Sequence, residues 1–242
     1  MTNLLHKLSE RIYYLPFMEE TDRPNLGYIR GDRYSLMVDA GNSGKHANLF
    51  LSKLEELNLP YPDYIAITHW HWDHTFGIHA INAKSIAGLL TNKQLAKVKT
   101  WSWDDQSMSE RLTTGEDIEL CDKCIRIEYA NPEDIIINTA DIVFDGKFRL
   151  DLGGVTCELL QITNPHSEDS VAIYIPEERI IFLGDASGGD HYHNQGRYDK
   201  CKLLSFIDFI KETDFDTCVE GHDNAISKQQ LLDYMKEELD KL

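Results

Sequence analysis

Apolar and polar positions along the chain change period several times. Ile12 to Phe17, Leu26 to Arg30 and Tyr34 to Val38 are short runs rich in aromatic and β-branched residues, the composition of strands. Gly31-Asp32, between the last two, predicts a hairpin turn. Asp39-Ala40-Gly41 closes the third run. From Lys45 to Leu57 the apolar residues Leu49, Phe50, Leu54 and Leu57 recur at helical spacing, and Pro60 and Pro62 stop the helix. Tyr64 to Thr68 is a short apolar run of the kind buried on both faces.

The stretch from about 83 to 135 is less regular. Thr91 to Lys99 reads as a helix, Trp101, Trp103 and Met108 stand in a polar segment, and Thr113-Thr114-Gly115 marks a loop. This predicts an insertion around 90–135 rather than a second domain. From Ile142 the strand pattern returns: Phe148 to Leu152, Val155 to Thr163, Ser170 to Ile175 and Arg179 to Gly184, with Pro176-Glu177-Glu178 as the last turn. Leu203 to Ile210 is an amphipathic helix, Thr217 to Glu220 a short strand, and Ser227 caps a final helix, Lys228 to Leu242. Each half therefore combines strands with helix, αβ and then βα. The expectation is one α/β domain over residues 1–242.

Lys and Arg total 24 against 41 Asp and Glu, a formal charge of −17. Phosphate backbones are bound by cations that release counterions, and Lys93, Lys97 and Lys99 form only one exposed helix face, so neither nucleic acid nor an anionic membrane is expected as a partner. No apolar run reaches the ~18 residues of a membrane span. Met1 to Phe17 carries Glu10 and lacks a long apolar stretch, so no signal peptide is read there. Five cysteines (121, 124, 157, 201 and 218) without such a leader read as reduced thiols, and the expected location is the cytoplasm. Cys121 and Cys124 have the spacing of half a zinc knuckle but no second pair follows, so paired free thiols are the simpler reading.

The chemistry concentrates in His69-Trp70-His71-Trp72-Asp73-His74, directly after the apolar run that ends at Thr68. Chance would place three His and an Asp in this order in on the order of one such chain in a thousand. A loop at the carboxyl end of a strand is where α/β folds bind ligands. Imidazole and carboxylate suit zinc, iron and manganese.

This segment resembles the signature of the metallo-β-lactamase fold superfamily. The resemblance implies a four-layer αβ/βα sandwich and two transition-metal ions, zinc first, with iron or manganese fitting the same donors. It also asks for further ligands downstream, and the chain supplies His166 in Asn164-Pro165-His166-Ser167, Asp185 after the run ending at Gly184, and His222 after Glu220-Gly221. By resemblance His69, His71 and His166 hold the first metal, Asp73, His74 and His222 the second, and Asp185 bridges them. Asp39 resembles a carboxylate that supports the metal loop, or else it merely caps a turn.

What the resemblance implies for activity is hydrolysis of a small ester, thioester, lactone or amide by a metal-activated water, with Asp73 and Asp185 as the catalytic carboxylates and a small molecule as the partner. Asp185 is similar to the bridging residue of the glyoxalase II and lactonase-like branches and unlike the Cys of the exported β-lactamases. Thr75-Phe76-Gly77 departs from glyoxalase II, and neither its Lys and Arg cluster nor the basic arm of transfer-RNA-processing relatives is found. An iron-containing redox relative, a phosphodiesterase and a low-turnover regulatory module stand as alternatives.

Weaker candidates surround the ligands. Of Trp70 and Trp72, one lines the pocket or both pack. Trp101 and Trp103 form an apolar lid or the core of the insertion. His191 and His193 contact substrate or lie in a solvated loop, and Tyr192 and Tyr198 are candidate oxyanion donors.

Overall fold

In the computed structural model, which describes residues 4–242, the strands form two sheets. The first three residues, part of the N-terminal stretch read above for a leader, lie outside the described residues. β1 (His6–Lys7), β2 (Ile12–Leu15), β3 (Leu26–Arg30) and β4 (Ser35–Val38) form an antiparallel meander. α1 (Gly44–Glu56) then crosses over to β5 (Tyr64–Ala66), which runs parallel to β4. α2 (Trp72–Thr75) is a single turn, followed by β6 (Lys84–Gly88), α3 (Leu89–Val98), α4 (Asp105–Thr114), α5 (Glu119–Glu128) and β7 (Ile142–Phe144). β6 and β7 extend the sheet in parallel to seven strands in chain order.

β8 (Lys147–Asp151), β9 (Thr156–Gln161), β10 (Val171–Ile175) and β11 (Ile180–Gly184) form a second antiparallel meander. After α6 (Lys200–Glu212), β12 (Thr217–Glu220) adds in parallel beside β11, and β13 (Ile226–Ser227) with α7 (Lys228–Asp240) completes six strands. Among the described residues no helix is long and apolar enough to cross a membrane.

Side-chain alternation explains the layering. Leu36 and Val38 of β4 and Ile86 of β6 point one way and meet Leu159, Val171, Ile173 and Phe182 of the other sheet in a shared core. Met37 and Ile65 point the opposite way, onto Phe50 and Leu54 of α1 and Leu95 of α3. On the far side Ala172, Ile181 and Leu183 pack under Phe206 and Ile210 of α6 and Leu231 and Met235 of α7. The result is helices, sheet, sheet, helices, the expected αβ/βα sandwich. Ser227 caps α7 with a full capping box to Gln230.

The region around 90–135 differs from its reading as polar segment and loop. After α3, which matches the helix read over Thr91 to Lys99, it holds two further helices, α4 and α5. Thr113 and Thr114 are the last residues of α4, and Gly115 is its left-handed cap at φ 75°. In α5 the buried positions Cys121, Cys124, Ile125 and Glu128 follow helical spacing, so the two thiols belong to a packing stripe. All five cysteines are unbonded, and only Cys201 is exposed. β6, with Ile86 and Ala87 as its apolar centre, was not expected from the sequence; its Ser85 is tied to Asp141 at 3.0 Å.

Candidate metal centre

The site lies along one end of both sheets, at the carboxyl termini of parallel strands. β4 delivers Asp39, β5 leads into His69 to His74, β11 leads into Asp185, and β12 leads into His222. His166 comes from the loop between β9 and β10.

Two groups of side chains converge there. His69 Nε2 lies 3.0 Å and His166 Nε2 3.1 Å from His71 Nδ1. The second group comprises Asp73, His74, Asp185 and His222; Asp73 Oδ2 is 3.0 Å from both His74 Nε2 and His222 Nε2. Asp185 reaches both groups, with Oδ1 3.4 Å from His74 Nε2 and Oδ2 3.7 Å from His166 Nε2 and 4.0 Å from His69 Nε2. Gly221 is required by this approach, because a Cβ there would collide with Asp185 Oδ1.

The donors fit cations better than they fit one another. A pair of imidazoles can share one proton, but three converging ring nitrogens cannot all be satisfied that way. Among the described residues, His74 Nε2, although close to Asp73, has no hydrogen-bond partner in proper orientation, and Asp185 Oδ1 is likewise a buried orphan. Buried polar groups without partners are rare and call for an ion or a water. Burial, and then the neighbouring imidazoles, hold His69 and His71 well below the ordinary histidine range, so their lone pairs are free.

The outward nitrogens of His74, His69 and His166 are tied down. His74 Nδ1 meets Asp39 Oδ2 at 2.7 Å, and Asp39 also accepts from the Thr68 backbone N–H at 2.7 Å. His69 Nδ1 meets Thr68 Oγ1 at 3.1 Å, and His166 Nδ1 meets the Gly189 carbonyl at 3.0 Å. Such partners fix tautomer and ring orientation. Asp169, which the sequence reading did not assign, accepts the Trp70 N–H at 2.8 Å and the Ser167 hydroxyl at 2.5 Å, joining the loop of His69 and His71 to that of His166. Its place in Ser167-Glu168-Asp169-Ser170, beside a candidate ligand, was the available signal.

A family profile described as the metallo-beta-lactamase superfamily matches residues 21–238. The chain belongs to the metallo-beta-lactamase superfamily. Among solved structures it is similar to a metallo-beta-lactamase from Pontibacter korlensis, at 17% identity and a TM-score of 0.68, covering 98% of this chain and 99% of that one. It is also similar to the sec-alkylsulfatase Pisa1 from Pseudomonas sp., at 14% identity and a TM-score of 0.68, covering 98% of this chain and 41% of that one. A curated relative, the "Beta-lactamase-like protein 2 homolog" of Caenorhabditis elegans, is 24% identical over 195 residues, 80% of this chain. The chain spans about half the length of that relative, 53%. Proteins of this superfamily are typically metal-dependent hydrolases, and the paired His and Asp groups can hold metal.

The paired groups open onto a cavity of about 430 Å³. His71, Asp73, His166, Asp185 and His222 line its floor. Ile118, Leu120 and Cys121 from the start of α5 form one side, and Ile226 and Tyr234 are also on its walls. Asp22, Glu220 and Asp223, none of them anticipated from the sequence, line it as well. Burial and then Asp73 raise the Asp22 carboxyl to about 6, and burial raises Glu220 to about 7.

The four tryptophans lie outside the lining. Trp72 is buried against Phe76, with ring centres 6.0 Å apart, because the single turn of α2 rotates it toward the core. Trp103 packs on Phe76 at 5.3 Å, and the Trp101 and Trp103 rings, 5.8 Å apart, both meet the Arg111 guanidinium, at 4.6 and 4.7 Å. They form the core of the insertion and no lid. Trp70 rests on Tyr192 and His71, behind the ligand. His191 faces the cavity, whereas His193 is solvated and pairs with Asp190 at 3.3 Å. The Tyr192 ring lines the cavity, but its hydroxyl donates to Asp117 at 3.3 Å. Tyr198 donates to the Ser187 carbonyl at 3.0 Å. Both hydroxyls are thus committed elsewhere and neither is an oxyanion donor.

Proposed function

We propose that this chain is a dinuclear metal hydrolase acting on a small ester, thioester, lactone or amide. The observation that carries the reading is Asp185, whose two oxygens reach both ligand groups while Oδ1 lacks a partner among the described residues. His69, His71 and His166 would hold one ion, Asp73, His74 and His222 a second, and Asp185 both. Zinc suits these nitrogen and oxygen donors, as do iron and manganese.

When bound, a pair of divalent ions polarises a carbonyl and makes water acidic enough to attack near neutral pH. The chain's own residues supply the rest. Asp73, at the cavity floor, orients the attacking water and takes its proton. Asp39 keeps His74 aimed into the site. Ile118, Leu120, Ile226 and Tyr234 give the substrate an apolar surface and thin the water around it. Five unbonded cysteines support a cytoplasmic setting.

The test is metal analysis joined to a panel of small esters, thioesters, lactones, amides, phosphodiesters and a cephalosporin. Turnover of one or more of the first four, abolished by chelation and restored by metal, supports the proposal. Oxygen consumption with iron and no hydrolysis, or phosphodiester cleavage alone, overturns it.

A further inference from the structure

The cavity that opens on the candidate metal centre has a one-sided charge. Among the described residues, Asp22, Asp73, Asp185, Glu220 and Asp223 line it and no Lys or Arg does. Asp22 is the left-handed cap of the single turn Glu19–Thr21, at φ 53°, and its Oδ1 lies 3.9 Å from His222 Nδ1. Asp223 follows His222, and its carbonyl is held by Asn25 Nδ2 at 2.6 Å. The nearest cation in sequence, Arg23, is turned away and paired with Glu128 at 2.7 Å. Leu120 and Tyr234, both lining the cavity, remain 51% and 42% exposed, so the opening is apolar.

We infer that Asp22 and Asp223 make this site select against anionic substrates, so that it takes uncharged or cationic molecules with apolar flanks. The inference rests on the hydrolase reading and narrows it. Two divalent ions bring four positive charges. Asp73 and Asp185 offset two of these, and Asp22 and Asp223 the other two, even before Glu220 is counted, so the loaded cavity keeps no surplus to attract an anion. With no Lys or Arg on the wall, a substrate carboxylate, sulfate or phosphate loses water and gains no ion pair with either of these side chains. A like charge facing it costs more still. The net charge of −17 sets the same sign at longer range, where salt screens it.

The test uses the metal-loaded whole chain and matched esters of one length that end uncharged, in a carboxylate or in an ammonium group. The charge is placed on the acyl side in one series and on the alcohol side in a second, and hydrolysis is followed by acid release. The uncharged and ammonium esters are expected to exceed the carboxylate ester in kcat/KM by about tenfold at low salt. Raising the salt, or the double variant Asp22→Asn with Asp223→Asn, should narrow that ratio to about threefold. A carboxylate ester used as well as the uncharged one in both series overturns the inference, and so does a ratio unmoved in the double variant. If no ester is hydrolysed by metal-loaded protein, the hydrolase reading fails on its own. Calorimetric binding of the corresponding unreactive ketones then decides the charge preference, with the same order expected and anion preference contradicting it.

Discussion

Asp39 accepts from His74 Nδ1 at 2.7 Å and does so from a left-handed backbone, at φ 59°, one residue beyond the end of β4. The same carboxylate receives the Thr68 N–H, so it clamps the strand end and the ligand together. Asp39→Ala should lower affinity for the ion held by His74 by about 10–100-fold while the other group keeps its ion. Competition titration with a chromogenic chelator measures this. Two unchanged binding constants would show that Asp39 only caps a turn.

A second close approach involves Gly221. Its missing Cβ leaves room for Asp185 Oδ1, so Gly221→Ala must push that carboxylate aside. Metal content should fall with far-ultraviolet circular dichroism unchanged. A fully loaded Gly221→Ala protein would mean that Asp185 does not hold the ions.

The strands and the ligand motif were legible because their signals are local. Alternation and β-branched runs mark β3, β4, β10 and β11, and His69 to His74 crowd into six positions. What was hidden depends on the fold. Asp22 enters the cavity from a short turn before β3, and Asp169 acts through the backbone of Trp70, so neither carries a motif. Two tryptophans beside the ligands and two in the insertion suggested a pocket wall or lid, yet the turn of α2 and the packing around Arg111 direct Trp72, Trp101 and Trp103 inward. α4 buries only Met108 and Arg111, too little apolar periodicity to read, although Asp104 and Gly115 cap its ends.

Trp103 is a core residue, and its truncation should act on stability. Trp103→Ala removes the contacts to Phe76 and Arg111 and should cost about 3–5 kcal/mol, the usual range for a buried large aromatic. Urea unfolding measures it. A stable Trp103→Ala protein with a raised KM would restore the tryptophan to the substrate site.

The metal-free protein should lose stability on both sides of neutrality. Burial disfavours the charged form of His222, but Asp185 and the Asp73 hydrogen bond outweigh it and raise its pKa to about 9. A pKa higher in the folded chain gives stabilisation that is complete below about pH 6.5 and lost as pH rises through about 9. His69 and His71, lowered by burial first, have the opposite sign, so stability also falls as pH drops below about 6.5. Urea midpoints of chelated protein should therefore peak near neutrality and be lower at about pH 10 than at about pH 7. An equal or higher midpoint at the alkaline end would contradict the ion pairing of His222.

The most direct measurement is elemental analysis of protein purified without chelators, repeated on the variants His166→Ala and His222→Ala. Close to two transition-metal ions per chain are expected, falling toward one in each variant because each removes a donor from a different group. Protein that carries no transition metal, and takes none up when it is supplied, would contradict the account.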